Sequence, residues 1–225
     1  MQFTYYGHAC FSLKAEDKLL LFDPFISPNP LASEIEINHI KPDYILVSHG
    51  HEDHIADCIS IAKRSGSVVI SNWEICQWLN KHGIDNTIPM NTGGQKTFDF
   101  GIVKCVAAQH SSSMPDGSYG GNPMGFLIKS EKNIYYSGDT ALTLDMQLVA
   151  QGAPVHYAIL SIGDHFTMGY EDAAKAAHMI QCGEVIGVHF DTFPYIAIDN
   201  KVAGNHFKNN GINLVLPEIG QIIDL

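Results

Sequence analysis

Three histidines and an aspartate fall within six positions, His49-Gly50-His51-Glu52-Asp53-His54. An apolar run, Ile45-Leu46-Val47, leads into them through Ser48. His49 and His51 stand two apart, so on an extended segment they point to the same side. Asp53 and His54 fall where the chain turns into a helix and reach a second point nearby. Neutral imidazole and carboxylate are the ligands that borderline cations such as zinc accept. A lone histidine is commonly an exposed or satisfied residue. This density of ligand types at a strand end points instead to a metal site.

Strands and helices must hold such a site. Short β-branched and aromatic runs predict strands over residues 3–6, 19–22, 44–47, 68–70, 103–107, 126–128, 134–136, 157–160, 185–188 and 214–216. Apolar residues at helical spacing predict helices over 53–63, 73–82, 170–181 and 199–209, the last ended by Asn210-Gly211. The early strands have short connections, which suits hairpins. The later ones alternate with helices, which suits crossover units. A mixed sheet or a pair of sheets covered by helices is expected. Two halves share this pattern, one up to about residue 70 and one from about residue 103, without repeated residues. No linker or low-complexity stretch interrupts them, so residues 1–225 are read as a single domain.

Composition narrows the function classes. Thirteen Lys+Arg against 24 Asp+Glu give a net charge of −11. Nucleic-acid affinity comes from counterions released at Lys and Arg contacts, so no nucleic-acid partner is expected. Anionic membrane surfaces repel the same charge. No apolar run approaches the ~20 residues of a membrane span, and no signal peptide is visible. The five cysteines are odd in number and none sits at C-x-x-C spacing. They read as small buried hydrophobes in a reducing compartment, and a cytoplasmic location is expected.

The His-x-His-x-Asp-His segment resembles the signature of the metallo-β-lactamase superfamily. That resemblance implies an α/β fold, a four-layer α/β/β/α sandwich with a two-metal site along one edge of the sheets. It also implies further ligands at later strand ends. His110 follows the run 103–107, Asp139 lies in Ser137-Gly138-Asp139-Thr140, and His189 ends Val185-Ile186-Gly187-Val188. By the resemblance, His49, His51 and His110 hold one metal, Asp53, His54 and His189 hold the second, and Asp139 bridges them. The expected cofactors are two divalent ions, zinc by preference, with manganese or iron as alternatives. The flavo-diiron branch typically carries glutamate where this chain has His51, together with a flavodoxin domain, so the hydrolase pattern is preferred. Tyr6-Gly7-His8-Ala9-Cys10-Phe11, Leu21-Phe22-Asp23-Pro24-Phe25, Gly163-Asp164-His165-Phe166 and His189-Phe190-Asp191-Thr192-Phe193-Pro194 are similar to short bacterial metal-dependent hydrolases related to ascorbate-6-phosphate lactonase. A more distant likeness is to the phospholipase D that acts on N-acylethanolamine lipids.

The chemistry so implied is hydrolysis. A water bridging metals ~3.5–4 Å apart has its pKa lowered from ~16 to ~7. Two divalent ions with two carboxylates and a hydroxide leave about +1 at the centre, which favours a small polar or anionic substrate. The expected reaction is cleavage of an ester-type bond, a phosphodiester or a lactone. Asp53, His8 and His165 are the candidates for direct catalytic roles. His8 and His165 either donate a proton or hydrogen bond to the reacting group, or tether a ligand or loop. Asp23 either orients a ligand histidine or caps the turn before Pro24, and Asp164 reads slightly better as a turn residue. The loop 111–123 either covers the site, through Met114 or Tyr119, or is a surface loop. His39, His82, His156, His178 and His206 read as exposed or structural, and Trp73 and Trp78 as core or helix-packing residues. A metal-holding sensor without turnover is the alternative from another class. A nuclease is disfavoured by the acidic charge and the small size, and a glyoxalase-type thioesterase by the lack of a C-terminal helical substrate domain. The partner expected is a small-molecule substrate, with a homo-oligomer as the assembly suggested by the family.

Overall fold

The computed structural model describes residues 1–151 and 153–225. Strands β1 (Gln2–Gly7), β2 (Cys10–Ala15), β3 (Lys18–Phe22) and β4 (Tyr44–Leu46) come first. They are followed by helices α1 (Glu52–Ile55) and α2 (Cys58–Ser65), β5 (Val68–Ser71), α3 (Trp73–Lys81) and β6 (Thr87–Pro89). The second half runs β7 (Gln95–Phe98), β8 (Gly101–Ala107), β9 (Met124–Lys129), β10 (Asn133–Tyr136), β11 (Tyr157–Ser161), α4 (Tyr170–Met179), β12 (Glu184–Val188), α5 (Asn200–Asn209), β13 (Asn213–Val215) and β14 (Ile222–Asp224). One sheet has the order β14-β1-β2-β3-β4-β5-β6 and the other β13-β12-β11-β10-β9-β8-β7.

Alternation along the strands explains the layering. A side chain pointing to one face of a strand is followed by one pointing to the other. Phe3, Phe11, Leu13, Leu20, Phe22 and Leu46 from the first sheet meet Phe126, Ile128, Ile134, Tyr136, Ile159 and Ile186 from the second in one core between the sheets. The intervening residues point outward and are covered by helices. Leu21, Ile45, Val47 and Val69 pack with Ile61 of α2 and with Ile75 and Leu79 of α3. Leu127, Tyr135, Ala158, Leu160 and Val185 pack with Ala173 and Ala177 of α4 and Phe207 of α5. The result is the expected four-layer α/β/β/α sandwich. Phe11 stacks on Phe22 at 4.5 Å between ring centroids, and both meet the edge or face of Tyr136, which ties the two sheets together beside Asp23.

The hairpins β1-β2-β3 are antiparallel, then β3-β4-β5-β6 are parallel. The second sheet repeats this with antiparallel β7-β8-β9-β10 and parallel β10-β11-β12-β13. Parallel strands all end on the same side, and side chains just beyond their carboxyl ends are therefore gathered. Asp23 follows β3, Ser48 and His49 follow β4, Asp139 follows β10 and His189 follows β12.

The predicted helix over 53–63 is two helices. Asp57, between them, turns its carboxylate to the backbone N–H groups of Ile26 (2.6 Å) and Ser27 (2.8 Å), and its own N–H donates to Pro24 O. This local competition breaks the helix and anchors the segment after β3. Strands β2, β6, β7 and β14 were not among the predicted runs. Ser12 and Lys14 interrupt the apolar pattern of β2, β7 is a largely exposed polar strand at the sheet edge, and β6 and β14 have three residues each. Trp78 is half-buried, donating Nε1–H to Asp116, whereas Trp73 is exposed at the start of α3 and not a core residue. No described helix is long and apolar enough to cross a membrane.

Candidate metal centre

The residues between β4 and α2 build half of the centre. Ser48 and His49 are buried at the end of β4, and the chain passes Gly50 to His51, the N-cap of α1. Gly50 is required by close packing, because a Cβ there would lie 2.6 Å from Met114 Sδ and 3.1 Å from Ser113 O. His49 Nε2 and His51 Nδ1 face one another at 3.0 Å, and the His110 ring lies 5.1 Å from each of theirs. Ligand atoms of His49, His51 and His110 lie within 4.8 Å of one another, as do those of His8, Asp53, His54 and His189. Asp139 stands between the groups. Its Oδ2 is 3.0 Å from His189 Nε2, 3.3 Å from His54 Nε2 and 3.8 Å from His110 Nε2. Asp53 Oδ2 lies 3.8 Å from both His54 Nε2 and His189 Nε2. All seven sequence-predicted ligands are thus gathered in one place.

Hydrogen bonds behind the cluster set which imidazole nitrogen turns toward it. The fully buried Asp23 receives hydrogen bonds from Ser48 N (2.7 Å), Ser48 Oγ (2.6 Å), Tyr136 OH (2.6 Å) and His54 Nδ1 (2.9 Å). With Nδ1 donating to Asp23, His54 turns Nε2 toward Asp139. Ser48 Oγ donates to Asp23, so it accepts from His49 Nδ1 at 2.9 Å, which turns His49 Nε2 into the cluster as a bare nitrogen. Such partners orient metal-ligating histidines and fix their tautomers. Asp23 therefore orients a cluster histidine, one of its two expected roles. Tyr136 and Ser48 were not picked out as site residues; their only signal was a polar group at the end of an otherwise apolar run.

The backbone is held in unusual conformations at the same places. His8, Asp23 and His189 have φ of 55°, 41° and 57°, a region that non-glycine residues enter rarely, Asp and His more readily than most. The His189 N–H donates to His8 O at 2.8 Å, and Met124 N–H to Ser48 O at 3.1 Å, joining the sheets at the site. Gly163 makes room for this joint, because a Cβ there would lie 2.2 Å from His189 O.

The charges are mutually compensating. Burial alone would raise the Asp139 carboxyl, but the adjoining His189 and His54 hold it well below the usual carboxylate range. Burial opposes ionisation of Asp53 too, and His54 and the His8 hydrogen bond overcome it, so this carboxyl also lies well below its ordinary value. Burial pushes His49, His51 and His110 down, toward the neutral form that binds a cation. At His54 burial also opposes the charged form, but Asp139, Asp53 and Asp23 outweigh it and hold the imidazole well above its ordinary value, so a cation bound there takes the place of the Nε2 proton. His54 Nε2 and both ring nitrogens of His189 are buried without a hydrogen-bond partner. Orphaned buried polar atoms cost about 1–3 kcal/mol each, and a cation between His54 Nε2, His189 Nε2 and the two carboxylates removes that cost for these two nitrogens. The donor set of imidazoles and carboxylates therefore fits a divalent transition metal.

The other candidates lie as follows. His8 is buried, with Nε2 at 3.0 Å from Asp53 Oδ2 and Nδ1 at 3.0 Å from Thr192 Oγ1. Burial pushes its pKa down to about 4. Both nitrogens are engaged, so His8 holds Asp53 in place, which is the tethering alternative. His165 is exposed, stacks on Tyr195 at 5.2 Å, and lines the neighbouring cavity instead of the one at the cluster. Asp164 is an exposed turn residue in the left-handed region. Met114 is buried against the helices of the first sheet and Tyr119 is 65% exposed, so neither touches the cluster cavity; from their loop it is Ser111 that does. His39, His82, His156 and His178 are exposed and His206 half-buried. The cavity over the cluster, about 360 Å³, is lined by His51, Asp53, His110, Ser111, Asp139, Phe166, His189 and Phe193. Phe166 and Phe193 lie in segments that carry the family resemblance, but nothing in their spacing separates them from core phenylalanines.

Comparison with known proteins agrees with this arrangement. Residues 19–190 match the family described as the beta-lactamase superfamily domain. A UPF0173 metal-dependent hydrolase of Methylacidiphilum infernorum is 48% identical over 226 residues, covering 100% of each chain. One from Flavobacterium johnsoniae is 49% identical with the same coverage. Among solved structures, Igni18, a metallo hydrolase from the archaeon Ignicoccus hospitalis, superposes with a TM-score of 0.88 at 31% identity, covering 99% of this chain and 97% of that one. The gathered histidines and aspartates, the layered fold and these full-length likenesses lead to one conclusion: the chain belongs to the metal-dependent hydrolases of the β-lactamase superfamily.

Proposed function

We propose that the protein is a dinuclear hydrolase that cleaves an ester-type bond, at a carbonyl or phosphoryl centre, in a small molecule. The observation that carries this reading is the position of Asp139, whose Oδ2 faces His110 on one side and His54 and His189 on the other. His49, His51 and His110 would hold one divalent ion, and Asp53, His54 and His189 the other, with Asp139 shared. Zinc suits this mixture of imidazole and carboxylate, and manganese or iron is the alternative. When bound, the pair supplies a water ionised near neutral pH and polarises the oxygen of the scissile group.

The chain's own residues provide positioning. Asp23, through Ser48 and His54, fixes the direction of two imidazoles. His8 prevents Asp53 from turning away. Asp53, with a side chain 29% exposed, is the carboxylate of the cluster open to the cavity. It is placed to accept a hydrogen bond from the attacking water and so to orient it; held well below the ordinary carboxylate range, it stays ionised while it does so. Among the described lining residues the one serine is Ser111, whose Oγ is engaged with His51 Nε2 at 3.3 Å, and none is a cysteine.

Metal content and turnover test this reading together. Purified protein is expected to carry two metal equivalents per chain. It is expected to hydrolyse at least one member of a panel of lactones, carboxylic esters and bis(p-nitrophenyl) phosphate, and to lose that turnover with chelator. Turnover that persists after the metal is stripped would overturn the assignment.

A further inference from the structure

Phe166, which lines the cluster cavity, lies against His165 and Tyr195, which line the next cavity. The cluster cavity has Phe166 and Phe193 as its apolar walls. The neighbouring one, about 590 Å³, is lined by Asp164, His165, Tyr170, Tyr195, Ile198 and Val202, among others. Phe166 lies edge-on to His165 at 4.5 Å and to Tyr195 at 6.4 Å, and His165 stacks on Tyr195. Phe166 is 52% exposed and Tyr195 70% exposed. Scattered exposed aromatics need no explanation, but a contiguous exposed aromatic surface at the mouth of a site marks a binding surface.

The segment carrying Phe166 is fixed. Asp164 and His165 are consecutive left-handed residues, at φ 62° and 57°. The Asp164 N–H donates to Met168 O, and the Met168 N–H donates to Thr140 O, next to Asp139. The aromatic wall is thereby tied to the residue at the centre of the cluster. Beyond the cluster, the charged residues lining the neighbouring cavity are Asp164 and Asp199, with no lysine or arginine among its described lining residues. A substrate arm that leaves the metal-holding cluster meets these two carboxylates, without a guanidinium or ammonium group to receive an anion.

We infer that the substrate is an ester or lactone with an aromatic arm free of negative charge, which lies on Phe166 and Tyr195 while its scissile bond rests against Asp53 and Asp139. Phosphorylated and otherwise anionic arms are disfavoured. The inference rests on the hydrolase reading for the bond that is cleaved, but its test needs no turnover. Dissociation constants are measured by ligand-observed NMR on zinc-loaded protein for three lactams: 3,4-dihydro-2-quinolinone, its ring-sulfonated derivative, and δ-valerolactam, which lacks the ring. The ring is expected to tighten binding about tenfold and the sulfonate to reverse that gain. Phe166→Ala and Tyr195→Ala, both at exposed positions, are each expected to weaken binding of the quinolinone by about 3- to 10-fold. Equal affinity with and without the ring, tighter binding of the sulfonate, or unchanged affinity in both variants would overturn it. So would a dimer that falls apart in Phe166→Ala, since the aromatic surface would then be covered by a second copy. Failure of every ester to react would remove the hydrolytic assignment and leave these affinities interpretable.

Discussion

Asp23 is the residue on which the orientation of the cluster turns. It binds no cavity surface, yet four donors from β4, α1 and β10 end on its two oxygens. Asp23→Asn keeps the shape but offers an amide N–H where an acceptor is needed. Three donors, Ser48 Oγ, Tyr136 OH and His54 Nδ1, end on Oδ2 and Ser48 N–H alone on Oδ1, so the amide N–H either faces Ser48 N–H or leaves all three others without an acceptor, and in both arrangements His54 Nδ1–H loses its charged partner. Zinc affinity is expected to fall by about 10- to 100-fold, read by competition with a chromophoric chelator. An unchanged affinity would show that His54 is oriented by packing alone. His8 acts likewise on Asp53. His8→Gln is expected to lower turnover by loosening Asp53, without the change in the acid limb of the pH–rate profile that loss of a general acid would produce. A shifted acid limb would restore His8 as a proton donor.

At the scale of elements, the joint between β11 and β12 decides whether the second half of the cluster forms. Gly163, just after β11, lies against His189 O and the Ile196 side chain. Gly163→Ala puts a methyl group 2.2 Å from that carbonyl and 2.9 Å from Ile196 Cβ. The backbone at His189 must then move. Overpacking of this kind costs about 1–3 kcal/mol, and the displacement is expected to reduce metal content toward one equivalent per chain. A variant with wild-type denaturation midpoint and full metal content would refute this view of the joint. Much of the element pattern was legible in advance. The ten predicted strands are present because β-branched and aromatic residues recur wherever at least one face of a strand packs on a core. The strands that were missed have a weak or absent apolar pattern; their place is set by hydrogen bonding to a neighbour, as in β7 against β8. The split between α1 and α2 was hidden because it depends on Asp57 meeting Ile26 and Ser27, which lie about thirty residues away in the chain.

For the whole molecule, metal binding and stability are coupled. Unpartnered nitrogens at His54 and His189 mean that a bound cation stabilises the folded chain more than the unfolded one. At a free metal concentration of about 100 times Kd the gain is ~2.7 kcal/mol. For a chain of this length that corresponds to a rise in Tm of roughly 5–11 °C. Calorimetry with and without chelator checks it, and an unaltered Tm at saturating zinc would contradict it. The thiols report on the core instead. All five cysteines are free and buried, and burial pushes Cys76 up to about 11 and Cys105 up to about 12. Native protein is expected to leave a disulfide reagent unreacted at pH 8 for many minutes, and denatured protein to release five equivalents. A fast-reacting thiol in the native state would expose an opening of the sandwich.

Residue types and short-range spacing by themselves pointed to a metal site at His49–His54 and to strands and helices that pack as sheets covered by helices, since ligand chemistry depends on the side chain and apolar runs mark buried strands. The more distant ligands His110, Asp139 and His189, and the four-layer sandwich, came from the resemblance to a family, because no local spacing links segments so far apart in the chain. Tertiary structure alone decided what His8, His165 and Asp23 do, which phenylalanines wall the cavity and how charge is distributed around it. Those outcomes depend on contacts between segments that are distant in sequence, and no local pattern records which partner a side chain will meet.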